Sequence, residues 1–529
     1  MGTLWTSGQI YTMERENETV EAVFVEDGIV IATGSKQKIE NQYKNRITKV
    51  VNLQGDIMFP GFVDSHMHLI GHGEKLMKLD FSEMTSSQEI LDAIQEYVKD
   101  KPAGEWIIGE GWNENQLPDR KIFHRFELDE LSPNNPLMLK RICRHAVVVN
   151  TKALELAGIS DETTNPEGGV IVRDTNGYAT GYLLDQAQEL VKTVIPVVTE
   201  EYIQNALRLS IKDCLHKGLV GGHTEDLNYY GGFERTFQGF QEIINVEGIK
   251  FRTNLLVHHE AVDDMHRLGY SFGAGGEFFE FGAMKIFADG SLGGRTALLS
   301  HPYHDSPKDF GVAIHSLEEL QKLVQKARRY KMPVAVHAIG DLAFEYVLDA
   351  IEKFPPLQNQ RDRLIHAQIL REELIERAKH LPVILDIQPR FVVSDFPWVV
   401  ERIGEMKMEY CYAWKTLLRV GFHCAGGSDA PIESNDPLLG IHAAVTRKKP
   451  GGEEIYMPEQ RISVYEAVQL FTTGSAYAIG KEDCMGKITP GFKADFTVLD
   501  KDIFHIQEDE ILNTNVTMTV VDDTIMYER

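Results

Sequence analysis

Residues 57–68 read IMFPGFVDSHMH, an apolar run that ends in two histidines separated by one residue. Alternation along a strand sends residues i and i+2 to the same face, so His66 and His68 can reach one metal ion. An isolated pair of this kind is also found among ordinary surface or core histidines. Whether this pair binds a metal therefore depends on which side chains lie at the ends of the other strands.

Apolar, β-rich runs alternate with helical patterns along the chain, which favours parallel βα units over an antiparallel sandwich. Two helix starts, residues 316–319 and 463–466, fit the capping box. The predicted fold class is α/β, with a (β/α)8 TIM barrel. Its eight strands are predicted at residues 57–68, 219–224, 251–257, 283–288, 333–337, 364–366, 383–387 and 422–429.

The two ends of the chain read as short strands with turns. Residues 1–58 and 481–529 are predicted to form one small β-sandwich domain together, and residues 59–480 are predicted to form the barrel. Residues at about 70–200 break the βα rhythm after the first strand. They are predicted to be an insertion over the active-site mouth, at the carboxyl ends of the barrel strands.

The composition narrows the classes of partner. The formal net charge of −25 argues against nucleic acid and anionic membranes, which both need a basic face. The chain has no secretory signal pattern and no long apolar run, which predicts a cytoplasmic protein. Five scattered cysteines without a C-x-x-C pair predict neither a disulfide framework nor a thiolate zinc site.

Further candidate ligands lie at the ends of other predicted strands. Lys285 sits inside an apolar strand, where a lysine is costly to bury. It is either ion-paired or converted by CO2 into a carbamate, an anionic ligand that resembles a carboxylate. His337 and His366 each end a strand and could instead be core histidines, and Asp429 could instead cap a turn.

The coincidence of these positions favours a metal site. All the candidates fall at the ends of strands one, four, five, six and eight, on one face of the barrel, where catalytic residues of this fold lie. Imidazole and carboxylate ligands suit zinc or a similar divalent ion. The predicted ligand set is His66, His68, Lys285, His337, His366 and Asp429. His223 and Arg295 lie at or after strands and could face the same pocket.

Five stretches of the sequence resemble the family called amidohydrolase 3, which includes N-substituted formamide deformylases. The order H-x-H, Lys, His, His, Asp also resembles the binuclear amidohydrolases more widely. The resemblance covers nearly the whole chain. The matching stretches are residues 60–66, 285–296, 337–341, 427–431 and 490–495.

The resemblance implies a small-molecule hydrolase that acts on carbon–nitrogen bonds other than peptide bonds by a metal-activated hydroxide. It implies that His66, His68 and Asp429 hold the more buried ion. His337 and His366 would hold a second ion, and Lys285, as a carbamate, would bridge the two. Asp429 would act as the general base. Homodimers are common among similar proteins.

Substrate contacts are harder to place from the sequence. Relatives carry similar runs around Trp112 and His145 near their pockets, so both are candidates, although Trp112 could equally be a packed core aromatic. Relatives often have Asp-Gly before that histidine, where this chain has Cys143-Arg144. Arg144 is compatible with an anionic substrate or with an exposed salt bridge.

Two alternatives remain at this point. A mononuclear member of the same superfamily would act as a deaminase, esterase or lactonase, and the buried lysine argues against it. A barrel that only binds or assembles would have no use for the complete ligand set. Metal stoichiometry separates the first alternative from the binuclear enzyme, and turnover on a broad panel separates the second.

Overall fold

Eight parallel strands form the barrel, and their order in the sheet follows their order in the chain. The computed structural model describes residues 2–81, 84–114, 117–141, 146–196 and 198–529. The predicted TIM barrel is confirmed, and each predicted strand overlaps an observed one. The strands, labelled β1 to β8, are Phe62–Met67, Leu219–Thr224, Arg252–His258, Phe279–Phe287, Val334–Ala338, Asp362–His366, Val383–Ile387 and Cys424–Gly426.

Backbone hydrogen bonds join the last strand of the barrel to the first at their carboxyl ends. The Asp429 N–H donates to the His66 carbonyl at 2.7 Å, and the His68 N–H donates to the Ala430 carbonyl at 2.8 Å. Two segments more than 350 residues apart in the sequence are thereby held side by side. Both segments carry predicted metal ligands.

The helices around the strands bury one apolar face, as in Leu317–Arg329, where Leu320, Val324 and Ala327 face inward. Both predicted capping boxes are present, at residues 316–319 and 463–466. The helices of this part of the chain are Leu69–Met77, Glu200–His216, Phe233–Gln241, Val262–Arg267, Leu317–Arg329, Asp341–Lys353, Glu372–Ala378, Phe391–Asp395, Trp398–Ile403, Trp414–Val420, Pro437–Thr446, Val464–Phe471 and Thr473–Ala478. Within the described ranges, none of the helices combines the length and the apolar character that a membrane crossing requires.

The two ends of the chain pair in a single eight-stranded sheet. Its buried residues include Trp5, whose ring packs edge-on against Phe496 with centroids 5.5 Å apart. The helix Lys36–Tyr43 contributes to a second apolar cluster. The strands are Gly2–Tyr11, Thr19–Glu26, Ile29–Gly34, Ile47–Asn52, Ile57–Pro60, Phe496–Leu499, Val516–Val521 and Thr524–Glu528.

The predicted first barrel strand at 57–68 is wrong in its extent, because two strands share that run. Ile57–Pro60 pairs with Phe496–Leu499 in the terminal sheet, and the barrel strand begins only at Phe62. The chain passes from one sheet to the other at Gly61, where a Cβ atom would lie 2.5 Å from the Val220 side chain. A continuous apolar run cannot reveal this break, since both segments are buried.

The insertion after β1 folds around its own six-stranded sheet. Apolar clusters in this unit include Trp112 and Phe123 in one and Met138 and Leu183 in the other. Its strands are Leu79–Asp80, Ile107–Trp112, Leu137–Arg141, Ala146–Val149, Gly169–Arg173 and Ala179–Asp185. Its helices are Ser87–Val98, Arg125–Leu131, Thr151–Leu156 and Glu189–Lys192.

The chain divides into two compact units. Residues 73–202 form one, and residues 1–72 with 203–529 form the other, which contains both the barrel and the terminal sheet. The division of the terminal sheet from the barrel, at residues 58 and 481, stays a prediction. The position of the insertion over the barrel mouth also stays a prediction.

A buried ion pair links β3 to the terminal sheet and gives a stability test. Arg252 donates to Asp495 through Nε and through Nη2, the latter at 2.9 Å, and both side chains are 8% exposed. Removing Asp495 leaves the charge of Arg252 buried, with only the more distant carboxylate of Asp522, 4.0 Å away, to offset it. Asp495→Ala is expected to lower the free energy of unfolding by about 3–5 kcal/mol, measured by urea denaturation followed by circular dichroism.

The matched control is the exposed pair of Arg267 and Asp264, whose side chains are 61% and 50% exposed. Asp264→Ala is expected to change the unfolding free energy by less than about 1 kcal/mol. Equal effects of the two substitutions would contradict the role given to the buried pair.

Candidate metal centre

Six side chains that the sequence singles out lie at or just beyond the carboxyl ends of barrel strands. The parallel direction of the strands brings all these ends to one side of the barrel. They come from β1, β4, β5, β6 and the segment after β8. The residues are His66, His68, Lys285, His337, His366 and Asp429.

His66, His68 and Asp429 form a cluster that can hold a metal ion. Their ligand atoms lie within 4.8 Å of one another. Asp429 Oδ1 is 3.4 Å from His66 Nε2 and 3.5 Å from His68 Nε2. Neighbouring ligands of a tetrahedral zinc site are about 3.4 Å apart when each is about 2.1 Å from the ion. The spacing and the donor types therefore fit a divalent metal.

Lys285 lies against this cluster. Its side chain is fully buried, and Nζ is 3.1 Å from His66 Nε2 and 4.5 Å from the centre of the Phe287 ring. Burial lowers the pKa of Lys285 to about 8, although the carboxylates of Glu225 and Asp429 work in the opposite direction. A fraction of the side chain is therefore the neutral amine near neutral pH.

His337 and His366 lie beside the cluster and face each other, with ring centroids 4.5 Å apart. The His366 ring centroid is 5.8 Å from that of His66. His366 Nδ1 is hydrogen-bonded to the Gln388 Oε1 at 2.7 Å, which leaves Nε2 for a ligand. His337 Nε2 lies 3.1 Å from the Gly290 carbonyl oxygen.

The carboxylate of Asp64 fixes the segment that carries Asp429. It accepts hydrogen bonds from the His66 N–H at 3.0 Å, the Ser428 N–H at 3.1 Å and the Ser428 hydroxyl at 2.5 Å. Asp64 is buried, and burial raises its pKa to about 7. Asp429 itself adopts a left-handed conformation with a φ of 57°. The hydrogen bonds of Asp64 and the backbone conformation of Asp429 together set the position of the Asp429 carboxylate.

The charge of Asp429 depends on its neighbours. Burial works to raise the pKa of this carboxyl, but the His68 hydrogen bond and the nearby His366 and Lys285 outweigh it, and the pKa lies below its ordinary value. A carboxylate that stays ionised is suited to bind a cation and to accept a proton.

Several residues of the centre were not among the sequence candidates. Asp64 and Ser428 lie inside the stretches that carry the family resemblance, so the sequence pattern could have identified them. Glu225 follows β2 directly. Its carbonyl oxygen is 2.6 Å from His68 Nδ1, and its fully buried carboxylate lies 3.7 Å from the same nitrogen. Only the fold brings Glu225 to this place.

The four candidates for substrate contacts fall in different places. Trp112 is fully buried in the core of the insertion, with its ring 5.8 Å from that of Phe123, which fits the alternative of a packed core aromatic. His145, like Arg144, lies outside the described residues. His223 is buried in β2 and lines a cavity with Arg252 and Val63 rather than with the predicted metal ligands. Arg295 pairs with Asp305, with Nη2 2.7 Å from Oδ2.

A cavity of about 440 Å³ opens beside the ligand cluster. Apolar and aromatic side chains form much of its wall. A volume of this size suits a small molecule. The cavity is lined by His66, His68, Phe287, Ser291, Leu292, Gly293, His337, Ile339, His366, Gln368, Phe391, Ser394, Asp395, Trp398, Asp429, Ile432 and Glu433.

A parallel barrel with histidines and an aspartate gathered at its carboxyl ends defines a metal-dependent hydrolase. A solved structure of an uncharacterized metal-dependent hydrolase from Pyrococcus horikoshii OT3 is similar over 96% of this chain and 99% of that chain, with a TM-score of 0.80 and 30% identity. The sequence profile of the amidohydrolase family matches residues 49–527. The chain belongs to the amidohydrolase family.

Two relatives by sequence agree with this assignment. The Bacillus subtilis (strain 168) protein named as an amidohydrolase, YtcJ, is 51% identical over 531 residues and covers 100% of both chains. The N-substituted formamide deformylase of Arthrobacter pascens is 26% identical over 545 residues, which is 99% of this chain and 98% of that protein.

Gln388 gives a test of the centre that does not depend on turnover. Gln388→Leu removes the partner of His366 Nδ1, so the imidazole is no longer held in one orientation. The affinity for divalent metal is expected to fall about 10- to 100-fold, measured as metal retained per chain after dialysis against graded chelator. Gln469→Leu on an outer helix is the control. Equal metal retention in both variants would contradict this role of Gln388.

Proposed function

We propose that this enzyme hydrolyses carbon–nitrogen bonds other than peptide bonds, in amides and in N-acyl or N-formyl amines. The observation that carries the proposal is the convergence of His66, His68 and Asp429 in the wall of a cavity of small-molecule size, with the buried Lys285 directly behind His66. The similarity over the full chain to an N-substituted formamide deformylase supports this bond type.

The metal in this proposal is a divalent ion, with zinc as the first choice because imidazole and carboxylate are its usual ligands. His66, His68 and Asp429 would hold one ion, and His337 and His366 would hold a second. Lys285 would join both as a carbamate. When bound, such ions lower the pKa of water and polarise a scissile carbonyl.

Asp429 acts as the general base and then as the general acid in the proposed reaction. Its carboxylate accepts a proton from the attacking water as the oxygen adds to the carbonyl carbon. It then delivers that proton to the nitrogen as the carbon–nitrogen bond breaks, so an acid and an amine leave the site. The lowered pKa of Asp429 means that its side chain is ionised and can accept a proton, and the hydrogen bonds of the Asp429 N–H to the His66 carbonyl and of the neighbouring Ser428 N–H to Asp64 hold the segment in place.

Glu225 favours a second candidate, a mononuclear deaminase, esterase or lactonase of the same superfamily. A buried carboxylate near Lys285 stabilises the unmodified ammonium and repels a carbamate, since like charges in a buried site are costly. A panel of N-formyl amines, N-acyl amines, aminopurines and lactones separates the two. Turnover confined to aminopurines or lactones would reject amide hydrolysis.

Replacing the carboxylate of Asp429 tests its role directly. Asp429→Asn keeps the shape of the side chain but removes the base, so turnover of the best N-formyl or N-acyl amine is expected to fall about 10²- to 10⁴-fold. The circular dichroism spectrum should stay that of the folded protein, and metal content is measured alongside.

Asp349→Asn is the matched control, because Asp349 pairs with Arg377 on the outer helices. It should keep the activity of the unaltered enzyme. Near-normal activity of Asp429→Asn would refute the proposed proton transfers.

A further inference from the structure

The cavity beside the predicted metal ligands has an apolar wall, and this wall begins at His366. The Phe391 ring is nearly parallel to the His366 ring, at an angle of 9° with centroids 5.9 Å apart. Trp398 follows on the next helix, and its indole Nε1 donates to the Ser394 carbonyl at 3.1 Å, which fixes the ring. Leu292 and Ile339 add to this wall. An apolar group next to a scissile bond would contact these side chains.

Asp395 lines the same cavity and introduces a charge into it. Its Oδ2 accepts hydrogen bonds from the Tyr412 hydroxyl at 2.5 Å and from the Gln368 Nε2 at 3.2 Å. Both bonds reach one oxygen, and none of the hydrogen bonds among the described residues reaches Oδ1. Because Asp395 lines the cavity and its two hydrogen bonds use Oδ2, Oδ1 is the atom that can bind a ligand.

The charge of Asp395 has no cationic partner within the described part of the chain. Its neighbours are the neutral Tyr412 and Gln368, and a second carboxylate, Glu433, adds to the negative potential. Glu433 is paired with Arg390 at 3.1 Å, whereas Asp395 is not paired. A carboxylate that is partly removed from water gains from a cation or a hydrogen-bond donor.

The remaining lining residues do not offset this charge. Among the described residues that line the cavity there is no lysine or arginine. The histidines of the lining are the predicted metal ligands. A substrate with a carboxylate beside Asp395 would therefore meet a like charge that has no counterion among the described residues, which is unfavourable.

We propose that Asp395 is a specificity-determining residue. It selects substrates in which an apolar, ring-sized substituent carries a cationic or hydrogen-bond-donating group at its far end. Substrates with an anionic group at that position are disfavoured. The first test of this role depends on the proposed amide hydrolysis, whereas the second test depends only on ligand binding. Phe391 and Trp398 contact the ring, and Asp395 contacts the group beyond it.

The first test compares three substrates that differ only at the para position. They are N-formyl benzylamines with an aminomethyl group, with hydrogen or with a carboxylate, assayed with the metal-loaded full chain. The expected order of kcat/KM is cation, then neutral, then anion. Asp395→Asn should lower the value for the cationic substrate about 10- to 100-fold and leave the neutral one within about threefold.

Glu401→Gln is the matched control, since it removes one carboxylate charge from the exposed face of the neighbouring helix. It should leave the order of the three substrates unchanged. The same loss in Glu401→Gln and Asp395→Asn would reduce the effect to general electrostatics and overturn the specific role of Asp395.

The second test is independent of turnover. Binding of p-xylylenediamine, benzylamine and 4-methylbenzylamine to the same metal-loaded protein is measured by calorimetry, and all three share one aminomethyl group. The diamine should bind about 10-fold or more tightly than benzylamine, and Asp395→Asn should remove the difference. 4-Methylbenzylamine, whose methyl group carries no charge, should bind about as tightly as benzylamine.

The two tests separate the two claims. Hydrolysis of the formamides without the charge order overturns the inference and leaves amide hydrolysis standing. The binding order without any hydrolysis of formamides supports the inference and contradicts the proposed function. Equal binding of the three amines overturns the inference whatever the turnover.

Discussion

Asp64 holds the first and last strands of the barrel together at the point where the proposed metal ligands lie. Its carboxylate accepts hydrogen bonds from the backbone of β1 and from Ser428 after β8. The neighbouring backbone bonds from Asp429 to His66 and from His68 to Ala430 close the barrel there. The distances between the ligand atoms of His66, His68 and Asp429 therefore follow from the closure of the fold.

The buried charges of the centre depend on that arrangement. Asp64, Glu225, Lys285 and Asp429 are costly to bury singly, and each is placed where another group or a cation can offset its charge. A bound divalent ion would add positive charge among carboxylates whose positions the fold already fixes. The same reasoning applies to Asp395 in the cavity wall, where a cationic group of a substrate would offset the unpaired carboxylate.

The sequence predicts the barrel and the ligand set because both depend on local patterns. Apolar runs that alternate with helical segments define the strands, and His66, His337 and His366 lie in β1, β5 and β6, which these runs predict. The split at Gly61 is missed because a buried run gives no sign of which sheet it joins.

The parts that the sequence does not predict depend on contacts between distant segments. Glu225 and Gln388 belong to the centre only because β2 and β7 place them beside His68 and His366. Asp395 lies in a short helix and shows no motif. Trp112 illustrates the opposite case, because similarity to relatives suggested a substrate contact and the fold places the ring in an apolar core.

Metal content, measured by elemental mass spectrometry on the freshly purified full chain, decides whether the cluster of His66, His68 and Asp429 holds metal and how many ions each chain binds. We expect about two divalent ions per chain, and a loss of metal when His66 is replaced by alanine. About one ion per chain would favour the mononuclear alternative. Absence of metal even after reconstitution would contradict the assignment of this cluster as a catalytic metal centre.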